Sequence, residues 1–497
     1  MQNGEATELD DDIEFKLDSS LVSEKVLVEV SEWKLEARNE DNSRYFFHVK
    51  EVASIEDGKR AYVIGRKGSG KTAISEYIGG IQDHDTFSEK LTFKNFPFND
   101  LYGLNNSSFA QPNQYITLWK YLIYSTICQM MLRNQAISRA ARDSIEKVFG
   151  TSELTLDRRI GKWTASDFEI SALSVSLKVS GSGRSTNETP SWITRVDILE
   201  DFIHQNIDNS RYFVIFDELD EDYSLIAESA KFESYTALLT SLFKAVQDVK
   251  ARFKQPSFRV NPIVFLRDDI YSLMDDSDKN KWSDFKIDLF WDEQKARDVV
   301  AFRLTRALDP SAAHPLPFEE IWPKFIGAPT MPYGTRQRNR MDTFSYMARS
   351  TYLRPRDFVK YLQECAARAV ATHQGRITSD IIKSVDTAFS SYLKDELRDE
   401  IFAILPTIRQ IFDAMTEVGK WNFSYSDFEL AYRSVVDPDA SRSNINFCLQ
   451  VLFIFSVIGT ALNHSYFVFK YTHKDAQMNY KNKIVVHRGL FKALQIV

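Results

Sequence analysis

The sequence predicts an α/β fold, a parallel sheet with flanking helices, that gives way to a helical region and then to a small helix-and-ribbon domain. Three observations predict it. Short apolar runs alternate with amphipathic stretches over the first 310 residues, the pattern of strands joined by crossover helices. The alternation stops in residues 311–395, where the pattern is mostly helical and is punctuated by Pro and Gly around 315–334. From residue 405 onward, two or three helical patterns precede two strand-like runs, 466–471 and 483–487, which is the order of a winged helix.

Taken from the N-terminus, the first fourteen residues hold Glu5, Glu8, Asp10, Asp11, Asp12 and Glu14 without a Lys or Arg. They therefore account for six of the seven net negative charges, and the remainder is nearly balanced. So little apolar surface cannot offset the entropy of ordering, and residues 1–20 are read as an acidic flexible leader. The core, 21–310, opens its sheet with RAYVI at 60–64, a short apolar run ending at a glycine, and a helical pattern starts at 72. Residues 90–96 read as a second strand and 115–132 as a long amphipathic helix. A third, buried strand at 212–216 ends in acids, and a fourth at 262–266 ends in Arg267. The span between the loop lysine, Lys71, and the acidic strand exceeds what a minimal P-loop core needs. An insertion is expected near 135–190, with a strand at 170–179 and an exposed loop at 180–190. A helical lid, 311–395, and a winged-helix-like domain, 396–497, complete the expected organisation.

Composition excludes several classes. The longest apolar runs, such as 451–458, are too short to span a bilayer, and no basic n-region leads into an apolar stretch at the start. Cys128, Cys365 and Cys448 lie far apart, with neither metal-ligand nor disulfide spacing, so a cytoplasmic protein without a membrane partner is expected. The eight histidines show no metal-binding spacing, and His464, His473 and His487 read as structural residues beside the wing. No nuclease, protease or glycosidase constellation is present, nor the H-R-D loop of a kinase. Residues 173–182 do not form an LSGGQ-like signature and read as strand plus loop.

The chemistry concentrates at Gly65-Arg66-Lys67-Gly68-Ser69-Gly70-Lys71-Thr72, which matches G-x-x-x-x-G-K-[ST] between a strand and a helix, the P-loop of an NTPase. Glycines let backbone N–H groups approach phosphate oxygens that a Cβ would hold away, and the following helix adds its N-terminal donors and dipole. Lys71 is the expected partner of the β- and γ-phosphates, and the Thr72 hydroxyl the expected ligand of Mg²⁺. The expected cofactors are thus Mg²⁺ and ATP, with GTP as the alternative. Asp217, at the carboxyl end of the third strand and beside the loop, is suited to hold Mg²⁺ through water. Glu218 is suited to orient or deprotonate the attacking water, with Asp220 as the other candidate base. Arg267 is either a sensor of the γ-phosphate or a surface arginine at a strand end. Pro355 suits a helix start, so Arg356 enters a first turn that can fold over phosphates; the alternative is a basic face of the lid, the reading preferred for Arg354.

Together GRKGSGKTA (65–73), FVIFDELD (213–220) and LRDDIY (266–271) resemble the AAA+-like ATPases of the STAND and Orc-initiator type, and within them a bacterial P-loop ATPase family. The resemblance continues through Ile287-Asp-Leu-Phe-Trp291, Arg354-Pro-Arg-Asp-Phe358, Ile458-Gly459, Phe469-Lys-Tyr471 and His487-Arg-Gly-Leu490. It implies an ATPase core, a lid with a sensor arginine and a C-terminal winged helix. It also implies sensor 1 and sensor 2 roles for Arg267 and Arg356, and a family setting often linked to phage defence. It assigns no arginine finger; Arg303, Arg306, Arg336, Arg338 and Arg340 are the candidates, and the insertion is atypical of the family.

Three functional readings follow. The first is a nucleotide-driven switch: ATP closes the lid and promotes homo-oligomer formation, hydrolysis resets it, and a protein effector or partner subunit reads the state. The second is a DNA-engaging ATPase of initiator or loader type. The third is a scaffold that binds ATP without turnover. Residues 441–497 carry seven Lys and Arg against Asp475 alone, which suits either a protein-docking surface or non-specific nucleic-acid contact through the wing. Phe447, Val451, Leu452, Phe455 and Ile458 in its third helix read as core, so base-specific readout is not expected.

Overall fold

The computed structural model describes residues 19–93, 115–150, 158, 160–161, 170, 172–173, 191–220, 229–334, 337–436, 444–463 and 466–496. Five strands form one sheet: β1 (Tyr62–Gly65), β2 (Thr86–Thr92), β3 (Arg211–Asp217), β4 (Arg259–Arg267) and β5 (Lys286–Asp288). Their order is β2-β3-β4-β1-β5, and every pairing is parallel. This is the AAA+-like P-loop arrangement.

Strand alternation sorts the side chains into two layers. Tyr62 and Ile64 of β1 and Tyr212, Val214 and Phe216 of β3 face one side, where they pack on the helices Ile116–Arg133 and Ser229–Arg252 through Trp119, Tyr121, Leu239 and Phe243. Val63, Phe213, Ile215, Ile263 and Phe265 face the other, against Ile74 and Ile78 of the helix Lys71–Gly79. With both faces covered, β1 and β3 read as unbroken apolar runs rather than alternating ones. Each fully buried Ile, Val or Phe adds about 1.5–3 kcal/mol of burial free energy.

Beyond the sheet, the helices Glu293–Leu308, Phe318–Phe325, Thr343–Ala348, Pro355–Ala371 and Ser379–Ile401 share one core with the C-terminal part of the chain. The helix Ser19–Ser31 joins the same core through Val26, Leu27 and Val30 and packs along Pro355–Ala371, so residues 19 and 20 of the expected leader are helical; residues 1–18 lie outside the described part. The lid region also contains a hairpin of β6 (Thr330–Tyr333) and β7 (Asn339–Asp342), where no sheet was expected. Its strands, TMPY and NRMD, lack the apolar alternation that would betray them.

The C-terminal module runs helix Ile408–Val418, β8 (Asn422–Phe423), helix Tyr425–Val435, helix Ile445–Ile454, β9 (Ile458–Ala461), β10 (Phe467–Val468) and β11 (Ile484–Val486). Its antiparallel sheet has the order β10-β9-β11-β8, a winged helix. Ser424 and Asp427 form a reciprocal capping box that starts its second helix. In the expected insertion, the strand at 170–179 is corrected where it is described: Ala172 and Leu173 are helical, and 174–179 lie outside the described residues, as does the loop 180–190. Among the described residues no helix is long and apolar enough to cross a membrane, and no group of three or more His, Cys, Asp or Glu is placed to hold a metal ion.

Candidate nucleotide-binding site

The loop leaves β1 at the carboxyl edge of the sheet. The register Gly65↔Arg267 sets it beside the end of β4, which separates it from β3 and Asp217 by one strand, whereas the sequence reading put Asp217 directly at its side. The charges of Asp220, Asp268 and Asp217 nevertheless all act on Lys71, so the acids gather at the same edge. Gly68 and Gly70 have φ of +78° and +97°, a region that L side chains rarely enter. A Cβ on Gly68 would also lie 3.2 Å from the Cβ of Arg356.

The loop is closed on itself. Lys71 Nζ donates to the carbonyls of Gly65 at 2.8 Å and Arg66 at 3.1 Å, and burial lowers its pKa. Ser69 Oγ is buried without a hydrogen-bond partner among the described residues. A glycine-rich turn, a lysine at the loop's centre and an unsatisfied hydroxyl together form a cradle that fits a nucleotide's phosphates.

The acidic residues are engaged. Asp217 Oδ1 accepts from the Glu218 N–H at 3.0 Å, and Oδ2 lies 2.9 Å from Lys90 Nζ in an ion pair without hydrogen-bond alignment. Glu218 adopts a left-handed φ of +59°, and its carboxylate pairs with Arg38, which precedes β1 in the chain. Burial raises the Glu218 pKa, and the Arg38 charge opposes that. Arg267, buried at the end of β4, donates to both oxygens of Asp269 at 3.0 and 2.6 Å, with Asp220 at 3.6 Å; these carboxylates raise its pKa against the effect of burial.

Two lid arginines reach the loop. Arg356 packs on Gly68 while its guanidinium pairs with Glu36 and Glu396. Arg354, read from the sequence as part of a basic face, is buried; it is held by Asp357 and Glu400 and donates to the Lys67 carbonyl at 3.0 Å. Sequence reasoning also missed Trp291, whose indole donates to the Ser69 carbonyl at 2.9 Å, although its motif had been singled out. Lys90 and Arg38 carried no sequence signal at all. Of the arginine-finger candidates, Arg303 is buried against Glu40 and stacked on Trp33 and Tyr45, which takes it out of reach of another molecule. Arg306 donates to the Pro310 carbonyl, Arg340 to Thr330, Arg338 is exposed, and Arg336 lies outside the described residues.

The winged helix touches the loop as well. Arg66 donates to the Phe455 carbonyl at 2.9 Å and to Ser456 Oγ at 3.3 Å, with its guanidinium over the Tyr352 ring at 4.9 Å. A polar cleft of about 300 Å³ between loop and wing is lined by Arg66, Arg267, Asp268, Lys470 and Lys474. His487, as expected, is structural: it stacks on Tyr352, and burial first, then Arg66, pushes its pKa down to about 3. His473 bonds Tyr466, and His464 lies outside the described residues.

Comparison with known proteins adds one family match. Residues 318–398, in the helical lid, match the FunZ-associated C-terminal helical domain. No curated protein matches the chain in sequence. Among solved structures, the chain is similar to Cdc6p from Pyrobaculum aerophilum (11% identity, 88% of this chain and 86% of that one, TM-score 0.29). It is also similar to the Aeropyrum pernix ORC1 protein in complex with DNA (9% identity, 93% and 96%, TM-score 0.38). The third is the Aeropyrum pernix ORC2 protein in its ADPNP-ADP complexes (12% identity, 89% and 89%, TM-score 0.37). Superpositions this loose add nothing to what the sheet order already gives.

Proposed function

We propose that the chain is an ATP-binding and ATP-hydrolysing switch of AAA+ type, in which nucleotide at the loop controls the position of the lid and winged helix and, through them, association with further copies or a partner protein. The observation that carries this reading is the Arg66 side chain, which leaves the phosphate loop and hydrogen-bonds the backbone of the winged helix. With Arg354 from the lid and Trp291 also on loop carbonyls, a rearrangement of this loop is felt in all three parts of the chain.

Bound Mg²⁺ would neutralise phosphate charge, with Thr72 and Asp217 to hold it. The chain's own steps are exchanges of partner. Lys71 leaves the Gly65 and Arg66 carbonyls for the β- and γ-phosphates, Asp217 gives up Lys90, and Glu218 parts from Arg38 to take a proton from water. Arg267 and Arg356 stand at the loop's edge as the sensors, each leaving a carboxylate for the γ-phosphate.

The charge of the wing favours this reading over a DNA loader. Lys474 faces Asp288 at 3.4 Å, so part of the basic surface is turned toward the core, and Lys470 is engaged within the wing by the Ala476 carbonyl. Phosphate release and light scattering test the proposal together. With ATP and Mg²⁺ the wild type is expected to turn over, Lys71→Ala to lose turnover, and Glu218→Gln to accumulate a larger species. Equal release by wild type and Lys71→Ala refutes it; stimulation by duplex DNA that fades with salt favours the loader.

A further inference from the structure

One large cavity lies away from the P-loop. It encloses about 820 Å³ between the lid and the wing, and no residue of the loop lines it. That volume is typical of a small-molecule site, roughly 300–1,000 Å³. Its walls come from the β6–β7 hairpin, the lid helices Thr343–Ala348 and Ser379–Ile401, and the wing strands β10 and β11.

Two features of the lining go together. Arg349, Arg488 and Lys492 bring three cations against one carboxylate, Asp386, whose oxygens already accept from the hydroxyls of Tyr346 and Tyr361. Arg349 is partly buried, stacked on Tyr346 at 4.3 Å and Tyr333 at 5.2 Å, and its Nε and Nη2 are buried without hydrogen-bond partners among the described residues. Burial, and after it the charge of Arg488, disfavours the protonated Arg349, the situation an anion between the two guanidiniums would relieve. The pair is held together by the backbone: a Cβ on Gly489 would come within 2.2 Å of the Ser350 carbonyl oxygen, so only glycine lets the Arg488 turn dock against the lid. At the rim, Trp421 and Tyr466 are 37% and 47% exposed, large aromatic faces open to a ligand.

We infer that this cavity binds a nucleotide unit, its phosphate taken by Arg349, Arg488 and Lys492 and its base laid on Trp421. Aromatic faces beside a cationic groove are how unpaired bases are held without sequence readout. The same chemistry is offered by a free nucleotide and by one residue of a single strand. The site does not depend on the ATPase reading, since it shares no residue with the loop.

The test uses the full chain carrying Lys71→Ala, so that the P-loop does not contribute. Binding of a labelled, 5′-phosphorylated thymidine oligonucleotide is followed by fluorescence anisotropy and binding of AMP by calorimetry. Binding of either probe is expected, and it is expected to weaken by about tenfold with Arg488→Glu and with Lys492→Glu, through lost charge-assisted contacts. Trp421→Leu is expected to weaken it by at least about fivefold through lost stacking. Arg488 and Lys492 are exposed, and thermal melting shows whether each variant keeps its fold. Binding of the oligonucleotide without AMP assigns the site to a strand, and binding of AMP assigns it to free nucleotide. The inference is overturned if neither probe binds, if Arg488→Glu binds like its parent, or if affinity responds to charge but not to Trp421→Leu, which a merely basic surface would produce.

Discussion

Replacing Arg38 by Ala removes the cation that holds Glu218. In the structure the Arg38 guanidinium lies against the Glu218 carboxylate, with its Nε 3.9 Å from Glu76, and the two paired side chains are 32% and 21% exposed. Water therefore screens the pair. Exposed ion pairs contribute roughly 0.2–1 kcal/mol, so the contact is put at the upper end, about 1 kcal/mol. That corresponds to about a fivefold gain in the freed carboxylate, and phosphate release at saturating ATP is expected to rise by about that factor. The pH profile supplies an independent reading. Burial raises the Glu218 pKa and Arg38 pulls it down, so losing Arg38 leaves the upward effect of burial less opposed. A base works only when deprotonated, so the acid limb of the kcat/KM profile, which reports the free enzyme in which Arg38 holds Glu218, should move to higher pH in Arg38→Ala and stay in place in Arg38→Lys. A fall in rate, with an acid limb that does not move, would refute the restraint and make Arg38 part of the grip on nucleotide.

Three further outcomes are expected. Arg354→Met strands the buried carboxylates of Asp357 and Glu400 and should destabilise the lid by about 3–5 kcal/mol in urea unfolding, with partial recovery in Arg354→Met/Asp357→Asn. Gly489→Ala drives a Cβ into the Ser350 carbonyl and the Leu393 side chain, and melting should report a loss of about 1–3 kcal/mol. His487 has a folded pKa of about 3 against an ordinary 6.5, so the unfolded chain binds a proton that the folded chain refuses. Its contribution is present above pH 6.5 and is lost as pH falls through 6.5 toward 3; His487→Phe should flatten the slope of stability against pH across that window.

Much of the core was readable because its signals are local. β1, β3 and β4 are apolar runs with both faces covered, and the helix Ile116–Arg133, expected as amphipathic, is an eighteen-residue apolar stretch buried on nearly every side. β5 was not readable: Lys286, Ile287 and Asp288 make a three-residue edge strand with one buried side chain. The two-residue strand β8 is too short for any period to show, whereas β10 falls within the run expected at 466–471. The candidate arginines had the same weakness. Arg303 and Arg354 look alike in sequence, yet one is sealed against Glu40 and the other sits on the phosphate loop.

The sequence by itself determined the chemistry of the loop, because a glycine turn, a lysine and a helix start are covalent neighbours whose roles do not depend on what packs around them. Tertiary structure alone decided what that loop is tied to. Arg66 meets Phe455 across 389 residues, Arg38 meets Glu218 across 180, and Arg349 meets Arg488 where the wing docks on the lid. Such pairings arise only after distant elements have buried their apolar faces together, and no local pattern announces them.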